Sequence, residues 1–476
     1  RKNSACGGAQ NRGGQMGYFA LDIGSSFIKY AVLDIENRQI RGKGKTAMPS
    51  PVSGRATRYE IRAEEIWNIV EMLTEQILRK EKVLDGILLC TQMQGFVILN
   101  ENSEAVTSYI SWQDNRCLEC HDGKTWLQEM EDMGCDRLME HSGVRLRAGL
   151  GMCNLYVTLR EIQGGAEGRW FCTLGSYIIR KMTGNHICHI TNGAATGLAD
   201  IVERQWNHPL IEKIGAGGLR FPELALEMEC CGYYESEGNR IPVYPDIGDH
   251  QACVLGSMVR PEQDVNINIG TAGLLGIVTD AYRQGEGEVR PYFGNQYLNT
   301  VRGLCGGRDL KCIAGFIKDS VEAVTGQKVR PKEIWDVIGR IPEREGSDAL
   351  EIEPEFYQGG RIAGITHGNF TLNSLLDAVY RQMGRQYHRA LMSVLPTGNR
   401  VSRIVYSGGA ATSNQGLMTR IAEETGCRWQ RALMEDESLL GLYRMALLIS
   451  GRCKTMEETS ALAQNIEIVK EISGLT

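Results

Sequence analysis

Tyr18-Phe-Ala-Leu-Asp22-Ile-Gly24-Ser-Ser26-Phe-Ile-Lys29-Tyr-Ala-Val-Leu-Asp34 is the most informative stretch of this 476-residue chain. An apolar, aromatic run ends in an acid, a Gly-Ser-Ser turn follows, and a second apolar run leads away. That pattern predicts a β-hairpin with small residues at its bend. Gly24 lets the backbone come close to a ligand, and the amides of Gly24, Ser25 and Ser26 can face phosphate oxygens. Asp22, at the strand end, can hold a hard cation directly or through water. A carboxylate beside a phosphate repels it unless a metal lies between them. The stretch therefore suggests a Mg-nucleotide site, although an ordinary tight hairpin with a solvated Asp explains it equally well.

Val265-Asn-Ile-Asn268-Ile-Gly270-Thr271-Ala-Gly273-Leu-Leu-Gly-Ile-Val278 repeats the same grammar in the second half. Two halves that each open with a phosphate-sized bend suggest a duplicated domain. One nucleotide lying across both bends, in a cleft between the copies, is the economical expectation.

The length allows two or three domains and a large core. Hydrophobic residues make up 42% and charged residues 23%, ordinary values for a globular protein in water. A net charge of −6 gives no reason to expect nucleic acid or an anionic membrane as partner. No apolar run approaches the length of a membrane span. Residues 1–16 are rich in Gly, Asn and Gln and lack the apolar core of a signal peptide, so a disordered tail is expected there. Fifteen scattered cysteines without such a signal suggest reduced thiols in the cytoplasm. Cys117-Leu-Glu-Cys120-His121 has the spacing of a haem attachment site, but chance spacing in a Cys-rich chain accounts for it better. His186 and His189 flank Cys188 in an expected hairpin without a second ligand pair nearby.

After the first hairpin, Ile66, Val70, Leu73 and Ile77 recur at helical spacing, and Ile87-Leu-Leu-Cys90 is a short buried strand. Strand, crossover helix and strand give an α/β layered domain. The strand runs into Thr91-Gln92-Met93-Gln94-Gly95, a polar cluster at the strand's carboxyl end, where α/β folds place ligands. Trp112-Gln113-Asp114-Asn115-Arg116 offers an apolar platform and bidentate polar groups suited to a polyhydroxylated ligand. A helix start with Asp114 as cap and Arg116 in an ion pair fits the same residues. Trp170 to Met182 reads as a helix, and Thr191 to Gly197 as a small-residue loop. Gly248-Asp249-His250-Gln251 looks like a sharp turn into a helix. There Asp249 is either an N-cap or a general base. A polar break near residue 257 is the expected domain boundary. Gly306-Gly307 is a further landmark, and Ser407-Gly408-Gly409-Ala410, with Asn414 beyond, is a bend whose backbone can take a phosphate or a flat ring. Neither a Walker loop nor a Rossmann fingerprint occurs.

In this order the landmarks resemble the FGGY carbohydrate kinases, across roughly residues 17 to 450. The resemblance implies two ribonuclease-H-like domains of the actin/hexokinase ATPase fold, with a nucleotide and sugar cleft between them. It implies an N-terminal domain over 17–257, a C-terminal nucleotide domain over 258–476, and ATP with Mg2+ as cofactors. Asp249 then matches the family's catalytic acid-base residue, with Asp22 on the metal side. Met93, Gln94, Trp112, Asp114, Arg116 and His250 fall to the sugar. Gly24, Ser25, Ser26, Gly270, Thr271, Gly306, Gly307, Gly408, Gly409, Ala410 and Asn414 fall to the nucleotide. Within the family the sequence is most similar to sedoheptulokinases and next to xylulokinases, through Trp112-Gln-Asp-Asn-Arg116 and Gly248-Asp-His-Gln251. Gln94 departs from the usual His of this loop, which leaves the sugar open. The expected protein is a cytoplasmic monomer or homodimer; a non-catalytic sensor and an actin-like ATPase are the rival readings.

Overall fold

The computed structural model describes residues 17–469, apart from 53, 82, 237, 284, 286, 340–349 and 358. The expected N-terminal tail therefore lies outside the described residues. The chain forms two compact units. The first comprises Arg1–Gly256, Arg290–Gly294 and Asp436–Thr476; the second comprises Ser257–Val289 and Asn295–Glu435.

In the first unit, β1 (Gly17–Ile23) and β2 (Phe27–Asp34) form the expected antiparallel hairpin, extended by β3 (Gln39–Ala47). Helix α1 (Ala63–Lys80) crosses over to β4 (Gly86–Thr91), which lies parallel to β1. Ile66, Val70, Leu73 and Ile77 are the buried stripe of α1, matching the helical period of the sequence. On the other side of β4 lie Asn239–Val243 and Gly232–Ser236. The short strand Ile247–Gly248 also pairs with β4.

In the second unit, the strand Asp264–Ile269 pairs antiparallel with Gly273–Thr279 and parallel with Arg403–Ser407. Gly273–Thr279 continues antiparallel to Tyr297–Leu304. The order β4-β1-β2-β3 of the first unit is thus repeated strand for strand, with the same pattern of parallel and antiparallel neighbours. This is the topological signature of the duplication that the two bends suggested. Helices Gly307–Thr325 and Leu372–Val394 cover this sheet's core.

Three expectations are corrected. Residues 436–476 belong to the first unit, not to a second domain running to the C-terminus. The cause is visible: helix Glu437–Ile449 packs on helix Asp249–Gly256, and strand Glu467–Val469 adds to the edge of β3. Gly256 and Gly441 permit this packing, because a Cβ on either would collide with the facing helix backbone. Trp170–Thr173 is a strand on Phe96–Leu99, and the helix begins only at Leu174, capped by the Thr173 hydroxyl. His186 to His189 form no hairpin: Ile187–His189 lies parallel to Glu223–Ala225.

Candidate active site

Asp22 is the penultimate residue of β1 and keeps 5% of its surface exposed. Ser438 Oγ donates to its Oδ2 at 2.6 Å, and Lys29 Nζ of β2 stands 3.4 Å away. Lys29 also lies 3.2 Å from Asp436. Burial alone lowers the pKa of this amine, but Asp22 and Asp436 outweigh it and hold Lys29 above its ordinary value. Lys29, Asp436 and Ser438 had no signal in the sequence beyond Lys29's place seven residues after Asp22. Ser438 and Asp436 arrive from the distant C-terminal segment. The bend Gly24–Ser26 leaves the sheet between β1 and β2 and is closed by Gly24 N–H donating to Phe27 O at 3.1 Å.

A lone buried carboxylate with a hydroxyl donor and a cation facing it fits the modest protein contribution to a Mg2+ site, where phosphates and water fill the remaining positions. Among the described residues no cluster of three or more His, Cys, Asp or Glu forms a self-sufficient metal site. The fourteen described cysteines are free thiols, and Cys117, Cys120 and His121 form no such cluster.

Asp249 is the first residue of helix Asp249–Gly256 and accepts from the His250 amide at 2.7 Å. The preceding Gly248 pairs with Thr91 at the end of β4. A Cβ on Gly248 would collide with Met93 Sδ, so the Asp249 turn and the Thr91–Gln94 loop are packed face to face. Met93 and Gln94 are buried, and Gln94 adopts a left-handed φ of 74°. Gln92 ties this loop to the phosphate bend: its amide donates to Ile23 O and its side chain to Gly24 O at 3.3 Å. His250 is half-buried, beside Asp249.

Trp112 is 38% exposed and available as a platform. Asp114 and Arg116 are not. Asp114 accepts from the Tyr59 and Arg116 amides and from the Arg116 guanidinium. Arg116 further bonds Thr158 and Glu60. Both side chains are consumed in a buried ion-pair network that fixes the Trp112 turn. They are corrected from ligand contacts to structural supports.

In the second unit the glycine turns converge at the carboxyl end of Asp264–Ile269. Gly307 N donates to Gly270 O at 2.9 Å and Arg308 N to Thr271 O at 2.8 Å, binding the Gly270 bend to the start of helix Gly307–Thr325. Asp309 accepts from the Gly306 amide. Gly408, at φ 90°, lies so close to Ile269 that a Cβ would meet its backbone. Gly409 faces open space. A cavity of about 310 Å3, lined among others by Tyr406, Ser407, Gly408, Gly409 and Arg431, opens here. Glycine backbone at a helix start beside such a cavity fits a nucleotide phosphate chain and ring. Asn414 is corrected: its Oδ1 caps helix Gln415–Thr425 at Leu417 N, and its Nδ2 donates to Tyr380, so both ends are spent.

Comparisons with known proteins give the family. Residues 17–256 match the family model for the N-terminal domain of the FGGY family of carbohydrate kinases. Glycerol kinase 2 of Saccharolobus solfataricus is 23% identical over 92% of this chain and 90% of its own length. The structure of Plasmodium falciparum glycerol kinase with ADP superimposes with a TM-score of 0.80 at 16% identity, over 96% of this chain and 94% of that one. The ligand-bound xylulose kinase of Lactobacillus acidophilus gives 0.78 at 16% identity, over 94% and 92%. No helix among the described residues is long and apolar enough to cross a membrane. A family model covering half the chain, on two units of the actin/hexokinase-like ATPase fold, identifies the chain as a member of the FGGY family of carbohydrate kinases, ATP-dependent phosphotransferases.

Proposed function

We propose that this kinase transfers the terminal phosphoryl group of ATP to a primary hydroxyl of a small polyol or ketose, with Asp249 as general base. The observation that carries this reading is the packing of Gly248, the residue before Asp249, against Met93, which brings the Asp249 turn and the loop of the buried Met93 and Gln94 together in one unit. Hydroxyl recognition suits Gln94, whose amide offers donors and an acceptor without titrating. Trp112 supplies the apolar face for the substrate's C–H edge.

Bound at Asp22, Mg2+ supplies charge neutralisation for the phosphates. Ser438 holds the Asp22 carboxylate in one orientation. The amides of Gly24, Ser25 and Ser26 suit phosphate oxygens, and so, within the second unit, does the backbone of Gly270, Thr271, Gly306, Gly307, Gly408, Gly409 and Ala410. Asp249 accepts the proton of the attacking hydroxyl. Phosphoryl transfer has a loose transition state, so positioning and electrostatics provide most of the rate.

The relatives named above act on glycerol or xylulose, and their names support an acceptor of three to five carbons. The seven-carbon ketose suggested by the Trp112 motif has no counterpart among them. Coupled ADP release against glycerol, D-xylulose, D-ribulose, ribitol and sedoheptulose tests the acceptor. Asp249→Asn should abolish transfer and leave ATP binding nearly intact; wild-type turnover in that variant removes Asp249 as the base.

A further inference from the structure

Three residues before Asp249 stands a second acid, Asp246, which the reaction scheme above does not use. It is fully buried, and so is Asn192. Asp246 Oδ1 accepts from the His189 amide at 3.2 Å, and its Oδ2 accepts from Asn192 Nδ2 at 2.7 Å. Asn192 Nδ2 also donates to Thr91 Oγ1 at 3.0 Å. Thr91 is the last residue of β4, immediately before Gln92, Met93 and Gln94. One residue earlier, Thr191 Oγ1 accepts from the Gly248 amide at 3.0 Å and meets His189 Nδ1 at 2.8 Å. The short helix Ile190–Ala195 thus grips the chain on both sides of Ile247, through Asp246 and through Gly248. Gly175 brings another helix so near that a Cβ there would collide with the Asp246 carboxylate. Asp246 therefore has no room for a second position.

We propose that Asp246, acting through Asn192 and Thr91, is a positioning residue that holds the Asp249 turn in register with the Met93–Gln94 loop. The proposal rests on the reading of Asp249 as base. It assigns a role to the Thr191–Gly197 segment that the nucleotide and acceptor elements leave unexplained.

The surroundings of Asp246 define its protonation. Burial, set against donation from the His189 amide and Asn192, raises its carboxyl to about 7. The titratable groups facing it are the Cys188 and Cys231 thiols, which burial pushes up, and the His189 imidazole, which burial lowers to about 4. All three are uncharged near neutrality, so no cation among them offsets an ionised Asp246. At about 7 both forms are populated near neutrality, and ionisation places behind the Asp249 turn a charge that the His189 amide and Asn192 offset by donation.

Asp246→Ala, Asp246→Asn, Asn192→Ala and Asp249→Asn, prepared in the full chain, test this. Displacing a reacting group by about 1 Å costs on the order of 100-fold in rate. A kcat loss of that order is expected in Asp246→Ala and Asn192→Ala, with KM for ATP unchanged. Asp246→Asn keeps the size of the side chain and one acceptor, so it should recover part of the kcat lost in the alanine variant; uncharged at every pH, it should also lack the native carboxyl's ionisation near pH 7 in its kcat profile. Folded Asp246→Ala or Asn192→Ala with native kcat overturns the proposal, as does an Asp246→Asn profile identical to the native one. If Asp246→Ala fails to fold, Asn192→Ala and the Asp246→Asn profile decide. Turnover in Asp249→Asn sinks the base reading instead; loss of turnover there with indifferent Asp246 and Asn192 variants sinks only the positioning role.

Discussion

Replacing Ser438 by Ala removes a hydroxyl that donates to the buried Asp22 carboxylate at 2.6 Å. A hydrogen bond to a charged group contributes roughly 1.5–3 kcal/mol. Lys29, at 3.4 Å, retains part of the compensation, so the loss belongs at the lower end for the metal-free protein. For metal binding the argument is separate. Groups that orient a ligating carboxylate typically contribute 10–100-fold in metal affinity, or roughly 1.4–2.7 kcal/mol. The two ranges overlap, as they should if one hydrogen bond underlies both. The assay is initial rate against free Mg2+ at saturating ATP and acceptor. Ser438→Ala should raise the half-activating Mg2+ concentration by roughly 10-fold or more, with kcat at saturating Mg2+ within a few-fold of the native value. Asp22→Asn provides the reference for losing the metal-side ligand itself. A folded Ser438→Ala enzyme with the native Mg2+ dependence refutes the assignment of Asp22 to the metal through this contact.

The remaining predictions concern the acceptor platform and the acid stability. Trp112→Ala should raise KM for the acceptor, leave KM for ATP unchanged and barely shift the melting temperature, because the ring is partly exposed. Arg116→Met should do the opposite: removing one partner of a buried ion pair costs roughly 3–5 kcal/mol, so thermal unfolding falls well before acceptor affinity is read. Glu119 is held down to about 2 by hydrogen bonds from Arg58, with the Thr57 hydroxyl adding to them. Its contribution is present above its ordinary pKa and is lost as pH falls from about 4.5 through about 2. The group is largely solvated, so the effect is small, and Glu119→Gln should flatten the unfolding midpoint over that window.

The elements that the sequence made legible are those whose information is local. The β1–β2 hairpin, the stripe of α1 and the helix opening at Asp249 each carry their own period or turn chemistry. Most of the errors involve a partner distant in sequence. Asp114 and Arg116 present a sugar-like set of groups, yet Tyr59, Glu60 and Thr158 consume them. Asn414 offers a free amide on paper, yet its own helix and Tyr380 use both ends. Ser438 is an ordinary helical serine until the C-terminal segment returns to the first unit and sets it on Asp22. Trp170 to Met182 reads as one helix in the sequence, and pairing with Phe96–Leu99 divides it into strand and helix.

The duplicated topology explains why one copy carries an acid and the other does not. In the first unit the strand leading to the bend ends Asp22-Ile23-Gly24; in the second it ends Asn268-Ile269-Gly270. The two positions are equivalent in register, each one residue before the strand's last and each on the strand that has one antiparallel and one parallel neighbour. Asp22 is satisfied by Ser438 and faces Lys29. Asn268 instead donates from Nδ2 to Ser407 Oγ at 2.9 Å, across the parallel pair. A carboxylate at this position would repel any phosphate facing the bend unless a cation compensated it. The neutral amide keeps the same hydrogen-bonding role at the strand end and removes that repulsion. Asn268→Asp is therefore a harsher change than its size suggests: it adds a half-buried charge beside Ser407, at the bend proposed to face anionic phosphate. The two bends thus share a backbone pattern and differ in chemistry, an acid in one and an amide in the other.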